Sequence, residues 1–378
     1  MRNARILFIS EGQLGDLLIL TPAIREMKLS FPESSLTVMI VQRRHYHDKN
    51  GSETDVIRLS PDGGTAEVLL KNPYVNHVIE VNREIIRSYK GVKRIGIEIK
   101  IINLIRKEKF DVVICTFPQD RFVFWAYLSG AKIRAGQHDQ KFSWLLTHTP
   151  NIQKEDNGVL QYYCDLAVAG GASVNSYTTE YHIKDASRKW ASEFIEKNNL
   201  NDKKGFVCIH PGASGFFKTW PPERFAAIIN SLQSNGKVNV LLCGTEYDKL
   251  LITEVKKHLQ ENVIEVDFED SIDRFAAILE RSVLCVSNDS GPRHLAVAVG
   301  TPTIAFMSRM KHLAWKIYKE ETKNVVLQGD SHCPLCTKED CREIIPEGEL
   351  YGAYCIRMVT VEEVLEKIGQ MISIDQTV

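Results

Sequence analysis

The chain has 378 residues, of which 44% are hydrophobic and 25% charged, with a formal net charge of −1. That length is more than one hydrophobic core usually serves and predicts two domains. Near-neutral charge argues against a dedicated nucleic-acid binder and leaves room for a local basic face.

The opening MRNARILFISEGQLGD is broken by Ser10, Glu11 and Gly12, so it does not read as a signal peptide. No run approaches the ~18 uninterrupted apolar residues of a bilayer span. A cytoplasmic protein is expected. Cys115, Cys164, Cys208, Cys243 and Cys285 stand singly, mostly in apolar runs, and read as buried reduced thiols.

In chain order, residues 5–10 form an apolar strand that enters an amphipathic helix through Gly12, Gly15 and Asp16, and Pro22 should kink or restart that helix. Residues 35–41 are a second strand, 42–66 a loop or lid, and 75–81 a third strand. A helix over 95–108, a buried strand over 111–116, a helix at 122–128 and a strand at 132–135 follow. This alternation predicts a parallel, doubly wound sheet. A helix over 161–168 precedes a stretch of small and polar residues, and the domain junction is expected within about ten residues of Tyr181.

The second half repeats the rhythm. Strands are expected at 206–210, 238–243, 263–266, 283–287 and 303–306, with helices at 222–232, 248–259, 272–280 and 291–300. The predicted organisation is therefore α/β, with Rossmann-like domains over residues 1–180 and 181–360 and a terminal helix from 361 to 378. Two such sheets in tandem place a cleft between them, at the strand C-termini where open α/β sheets bind ligands.

Three loops of the second domain carry candidate chemistry. In HPGASGFFKTWP, His210 precedes Gly212, Ser214 and Gly215, which let the backbone approach a phosphate, and Lys218 offers a positive charge, with a plain surface loop and solvated lysine the other reading. In CGTEYD, Glu246 stands where Rossmann acids meet ribose hydroxyls, although a helix-start Glu is common for dipole reasons. In SNDSGPRH, Asn288, Asp289, Ser290, Gly291 and His294 surround a helix N-terminus, a natural anion site, with plain N-capping by Asn288 or Ser290 the other reading. Together the loops resemble a nucleotide-diphosphate site. No strand is followed by G-x-G-x-x-G, which disfavours a dehydrogenase. In the first domain Asp16 could serve as general base or simply as a helix-start carboxylate. No Asp-x-Asp pair suggests a catalytic metal.

GQLGDLLILTPAIREMK, NPYVNHVIEV, SGAKIRAG, HPGASGFFKTWPPERFAAI, CGTEYD and NDSGPRHLAVAVGTPTIAF occur in this order. Together they resemble glycosyltransferase family 9, the ADP-heptose:lipopolysaccharide heptosyltransferases. The resemblance implies a GT-B fold and inverting transfer from ADP-heptose to a lipopolysaccharide core hydroxyl, without a catalytic cofactor. It places Asp16 on the family's proposed base, Lys218 on donor phosphate, Glu246 on ribose, and Asp289 with His294 in the donor motif. Gly12, Gly15 and Arg134 fall to the acceptor side. Arg293 replaces a small apolar residue common in the family, and could meet either phosphate or acceptor. Another nucleotide-sugar donor, or a non-catalytic nucleotide-sugar-binding protein, remains the alternative.

Cys333, Cys336, Cys341 and Cys355 have the spacing C-x2-C-x4-C-x13-C. Four such thiols can close a structural zinc site, and unligated thiols or a disulfide are equally compatible. The GT-B resemblance implies that the final helix crosses back to the first domain. Arg43, Arg44, Arg83, Arg87, Lys90, Lys93 and Arg94 recur among aromatics and isoleucines. They can meet a lipid-linked acceptor's phosphates at the inner membrane or form an ordinary solvated face.

Overall fold

Buried apolar runs build two separate sheets, each of six strands among the described residues. The computed structural model describes residues 3–42, 56–59, 64–138, 141–150, 158–201, 205–215, 218–266, 271–308, 318, 322–329, 352 and 354–375. They divide into one unit over Met1–His182 and a second over Ile183–Val378.

The first unit contains β1 (Arg5–Glu11), α1 (Leu14–Ser30), β2 (Ser35–Gln42), β3 (Ile57–Leu59), α2 (Glu67–Leu70) and β4 (His77–Asn82). It continues with α3 (Arg83–Ser88), α4 (Gly91–Lys107), β5 (Val112–Cys115), α5 (Asp120–Leu128), β6 (Ile133–Ala135) and α6 (Val159–Ala169). Strand order is β3-β4-β2-β1-β5-β6. All pairs are parallel except β3 with β4. That antiparallel edge strand lies in the stretch expected to be loop. Its three residues are too few to show a period. On one face of the sheet, Leu7, Ile9, Met39, Val113 and Phe122 join Ile101 and Ile105 of α4 in a continuous core.

Pro22 does not restart α1, which runs unbroken from Leu14 to Ser30. Proline cannot donate to the Leu18 carbonyl four residues earlier. The Thr21 hydroxyl donates there instead, at 2.7 Å.

The second unit contains α7 (Asp185–Lys197), β7 (Phe206–His210), α8 (Pro222–Asn235), β8 (Asn239–Cys243), α9 (Lys249–Lys257), β9 (Ile264–Val266) and α10 (Ile272–Arg281). Then follow β10 (Leu284–Asn288), α11 (Gly291–Ala298), β11 (Thr303–Phe306), β12 (Asn324–Leu327), α12 (Tyr354–Arg357) and α13 (Val361–Asp375). The sheet is parallel, in the order β12-β11-β10-β7-β8-β9. From β7 the chain builds outward through β8 and β9, then returns to β7's other side with β10. The switch point therefore lies between β7 and β10, where such sheets bind ligands.

Helix α7 and strand β12 go beyond the sequence expectation. The buried stripe of α7 is Ser187, Ala191 and Ile195, with a single large aliphatic to mark it. The last helix is grouped with the second unit. It packs on α8 and β10, and Val364, Ile368 and Met371 lie in the second unit's core. Among the described residues no helix is long and apolar enough to cross a membrane.

Candidate active site

At the switch point the Asn288 side chain ties two loops together. Its carbonyl accepts from the Trp220 backbone N–H at 2.9 Å, and its amide donates to the Pro211 carbonyl at 2.5 Å. Asn288 is fully buried, so these bonds span the loop from His210 to Pro221 from inside. The loop's far end is anchored by Trp220, whose ring stacks on Phe306 at 4.4 Å and whose Nε1 donates to the Val359 carbonyl at 3.1 Å.

Neither residue considered for a cap serves as one. Ser290 sits at the N-cap position of α11 without a side-chain capping bond. Its hydroxyl donates to the carbonyls of Gly212, at 3.3 Å, and Asn288, at 3.4 Å. The first-turn amides and dipole of α11 thus point to the switch point without a side-chain cap among the described residues, which favours an anion there.

Asp289 and Arg293 form a buried ion pair, with Nη1 2.7 Å from Oδ1. The Arg293 guanidinium also lies over the Tyr318 ring, 5.4 Å from its centre. The Tyr318 hydroxyl is 2.8 Å from His294 Nδ1. Burial pushes His294 down to about 3; Asp289 opposes this, while Arg293 and Lys218 reinforce it. His294 is therefore a neutral imidazole, and Lys218 lies close enough to act on it electrostatically.

The adjacent loop after β8 is held by Asp248, which accepts from the Thr245 N–H at 3.0 Å and hydroxyl at 2.9 Å. His210 Nε2 lies 3.6 Å from the same carboxylate, and burial lowers the pKa of that imidazole with Asp248 partly opposing. Gly212 fits between them. A Cβ there would stand 1.9 Å from Asp248 Oδ1 and 2.7 Å from His210 Cε1. His210, Gly212, Asn288 and Ser290 are thus brought together, with Asp289, Lys218 and His294 beside α11. Ser214 is exposed on the same loop. Glu246 stands apart from this network, with a side chain 71% exposed and paired with Lys249 at 2.8 Å.

In the first unit Asp16 lies in the first turn of α1 and is only 7% exposed. Burial and then the Asp16 charge push the Tyr163 hydroxyl well above a tyrosine's ordinary range, with Tyr162 and Glu11 adding to it. Gly12 precedes the helix because a Cβ would meet Gln42 Oε1 and Ile40 Cγ2, each at 2.6 Å. Gly15 occupies the first turn of α1 itself. Arg134 holds its own loop, donating to the carbonyls of Ala131 at 2.6 Å and Leu145 at 2.8 Å. The buried Glu11 carboxylate joins three strand ends. It lies 3.2 Å from Arg83 Nη1 and also accepts from Gln119 Nε2.

Sequence reasoning did not single out Asp248, Glu11, Tyr163 or Tyr318. Thr245-x-x-Asp248 is a capping-box pattern and was a readable signal. Glu11 closing an apolar strand was another; Tyr318 carried none.

Cys115, Cys164, Cys208, Cys243 and Cys285 are buried and unbridged. Burial pushes the first two thiols up to about 12. Cys333, Cys336 and Cys341 lie outside the described residues, and Cys355 is buried on α12. Among the described residues no group of three or more His, Cys, Asp or Glu side chains could hold a metal.

The two Rossmann-like parallel-sheet units have the GT-B fold of solved heptosyltransferases, and the family match makes the chain a glycosyltransferase. The chain belongs to glycosyltransferase family 9, the heptosyltransferase family, whose model matches residues 99–344. It is 23% identical over 348 residues to lipopolysaccharide heptosyltransferase 3 of Escherichia coli, covering 90% of this chain and 95% of that one. Among solved structures, the family 9 glycosyltransferase of Veillonella parvula superposes with a TM-score of 0.74 at 20% identity, covering 98% of both chains. E. coli ADP-heptose heptosyltransferase II gives 0.70 at 16% identity, covering 98% of this chain and 99% of the other.

Proposed function

We propose that this enzyme transfers a heptose from ADP-heptose to a hydroxyl of a lipopolysaccharide core acceptor. The acceptor oxygen attacks the anomeric carbon, the bond from that carbon to the diphosphate oxygen breaks with inversion, and Asp16 takes the hydroxyl proton. The observation that carries the reading is the N-terminus of α11, without a side-chain cap among the described residues and with Lys218 near His294. Backbone amides, the helix dipole and the lysine would neutralise the charge that grows on the leaving ADP. No catalytic cofactor is called for.

The names of the relatives support this choice of sugar and acceptor class: lipopolysaccharide heptosyltransferase 3, and an E. coli heptosyltransferase solved with ADP-2-deoxy-2-fluoro heptose. Asp289 is committed to Arg293, so contact with the donor falls first to loop amides, Lys218 and His294. The test is mass spectrometry of the product formed from ADP-heptose and a defined core oligosaccharide. A product heavier by one heptose unit supports the assignment. Turnover with a UDP-hexose alone would overturn the donor, and no transfer from any nucleotide sugar would overturn the activity.

A further inference from the structure

Helix α4 carries apolar residues on two sides. Ile101 and Ile105 are buried against the first sheet, with Ile97 and Leu104 packed beside them. Val92, Ile95 and Ile99 lie within about 60° of one another around the helix, turned away from that core. They are 84%, 59% and 49% exposed. Lys93, Lys100 and Lys107, spaced by seven residues, form an exposed row along one border of this stripe. Over its own length, Gly91–Lys107, α4 has five Lys or Arg and one Glu, in a protein whose formal net charge is −1.

We infer that this outer face of α4 docks the enzyme on an anionic phospholipid surface. The stripe is narrow, aliphatic and bordered by long cationic side chains, which suits insertion of a few apolar groups between phosphate headgroups. A protein interface hot spot would more often be built from Trp or Tyr in a pocket. The concentrated positive charge selects an anionic bilayer over a neutral one, and each such cation strengthens binding by about fivefold. The helix is about 25 Å long and its exposed end is the N-terminal one.

The position of that end matters to the proposed reaction, on which this part of the inference rests. Helix α4 leads into β5, so its N-terminus lies at the edge where the parallel strands of the first sheet end. The turn carrying Asp16 begins at the same edge, after β1. The two are linked directly, because Arg83 at the start of α3 bonds Glu11 at the end of β1. Docking through α4 would therefore bring Asp16's edge of the sheet to the bilayer, where a lipid-anchored acceptor is presented.

The test is co-sedimentation of the full-length protein with vesicles of phosphatidylethanolamine and phosphatidylglycerol, and with pure phosphatidylcholine vesicles. The native chain should pellet with the anionic vesicles, remain in solution with the neutral ones, and be released at about 0.5 M salt. The triple variant V92S/I95S/I99S and the charge variant K93E/K100E should each bind at least tenfold more weakly. Both should keep native ADP affinity. Native protein that stays in solution with anionic vesicles, or a triple variant that binds undiminished, overturns the inference. So does a native dimer, measured by light scattering, that the triple variant splits. Transfer to a water-soluble oligosaccharide separates the two ideas, since its failure would sink the proposed function and leave the vesicle result standing.

Discussion

Arg293 Nη1 and Asp289 Oδ1 are 2.7 Å apart in a buried ion pair that bridges the end of β10 and the first turn of α11. An unpaired carboxylate at this helix N-terminus would repel a diphosphate. With the guanidinium beside it, the local charge is close to neutral and the dipole can act on the ligand. Arg293→Met should cost about 3–5 kcal/mol of stability, because it strands a buried charge, and should weaken ADP binding. Asp289→Asn in the same molecule should recover most of both. Denaturant titration and calorimetry with ADP check this, and a double variant no better than R293M would show that Arg293 acts on the ligand directly.

Asn288 predicts a different signature. Its two buried bonds hold the loop from His210 to Pro221, so Asn288→Ala leaves the Trp220 N–H and the Pro211 carbonyl without their partner. A loss of about 1–3 kcal/mol is expected. ADP affinity should fall through loop disorder, and crystals of the variant should show the Trp220 end displaced. Unchanged unfolding would mean that the loop is held elsewhere.

Asp16→Asn should reduce heptose transfer by at least about a hundredfold while leaving ADP affinity within about twofold of native, as expected for a base that acts only on the acceptor. Product mass spectrometry and calorimetry make the comparison. Near-native transfer would remove Asp16 from the chemistry.

His294 sets an acid limit. It stays neutral in the folded protein down to about 3, whereas an unfolded histidine takes up a proton near 6.5. Between those values the unfolded chain binds more protons, so stability is full above about pH 6.5 and declines as pH falls toward 3. The loss is roughly 1 kcal/mol over the first full unit below 6.5. Burial of His210 acts in the same direction. Thermal unfolding at pH 7.5 and 5.5 should show the decline, and it should be smaller in His294→Asn.

Much of the fold was legible because it is local. Apolar runs such as residues 206–210 and 284–288 lead into Pro211-Gly212 and Asn288-Asp289, and such punctuation marks a strand and the turn after it. The three candidate loops of the second unit do follow neighbouring strands β7, β8 and β10. Elements with thin local signals were not legible. Strand β3 has three residues, and α7 has one large aliphatic in its buried stripe.

What the sequence determined by itself was the alternation of strands and helices, the glycine turns and the side chains collected at the strand ends. Only the tertiary structure decided what each side chain does there. Asn288 bonds residues 68 and 77 positions away, Arg293 closes on Asp289, and Glu246 turns outward to Lys249. The physical reason is range. Backbone propensity and period act over a few residues, whereas the partner of a buried polar group is whichever distant element packing brings within about 3 Å.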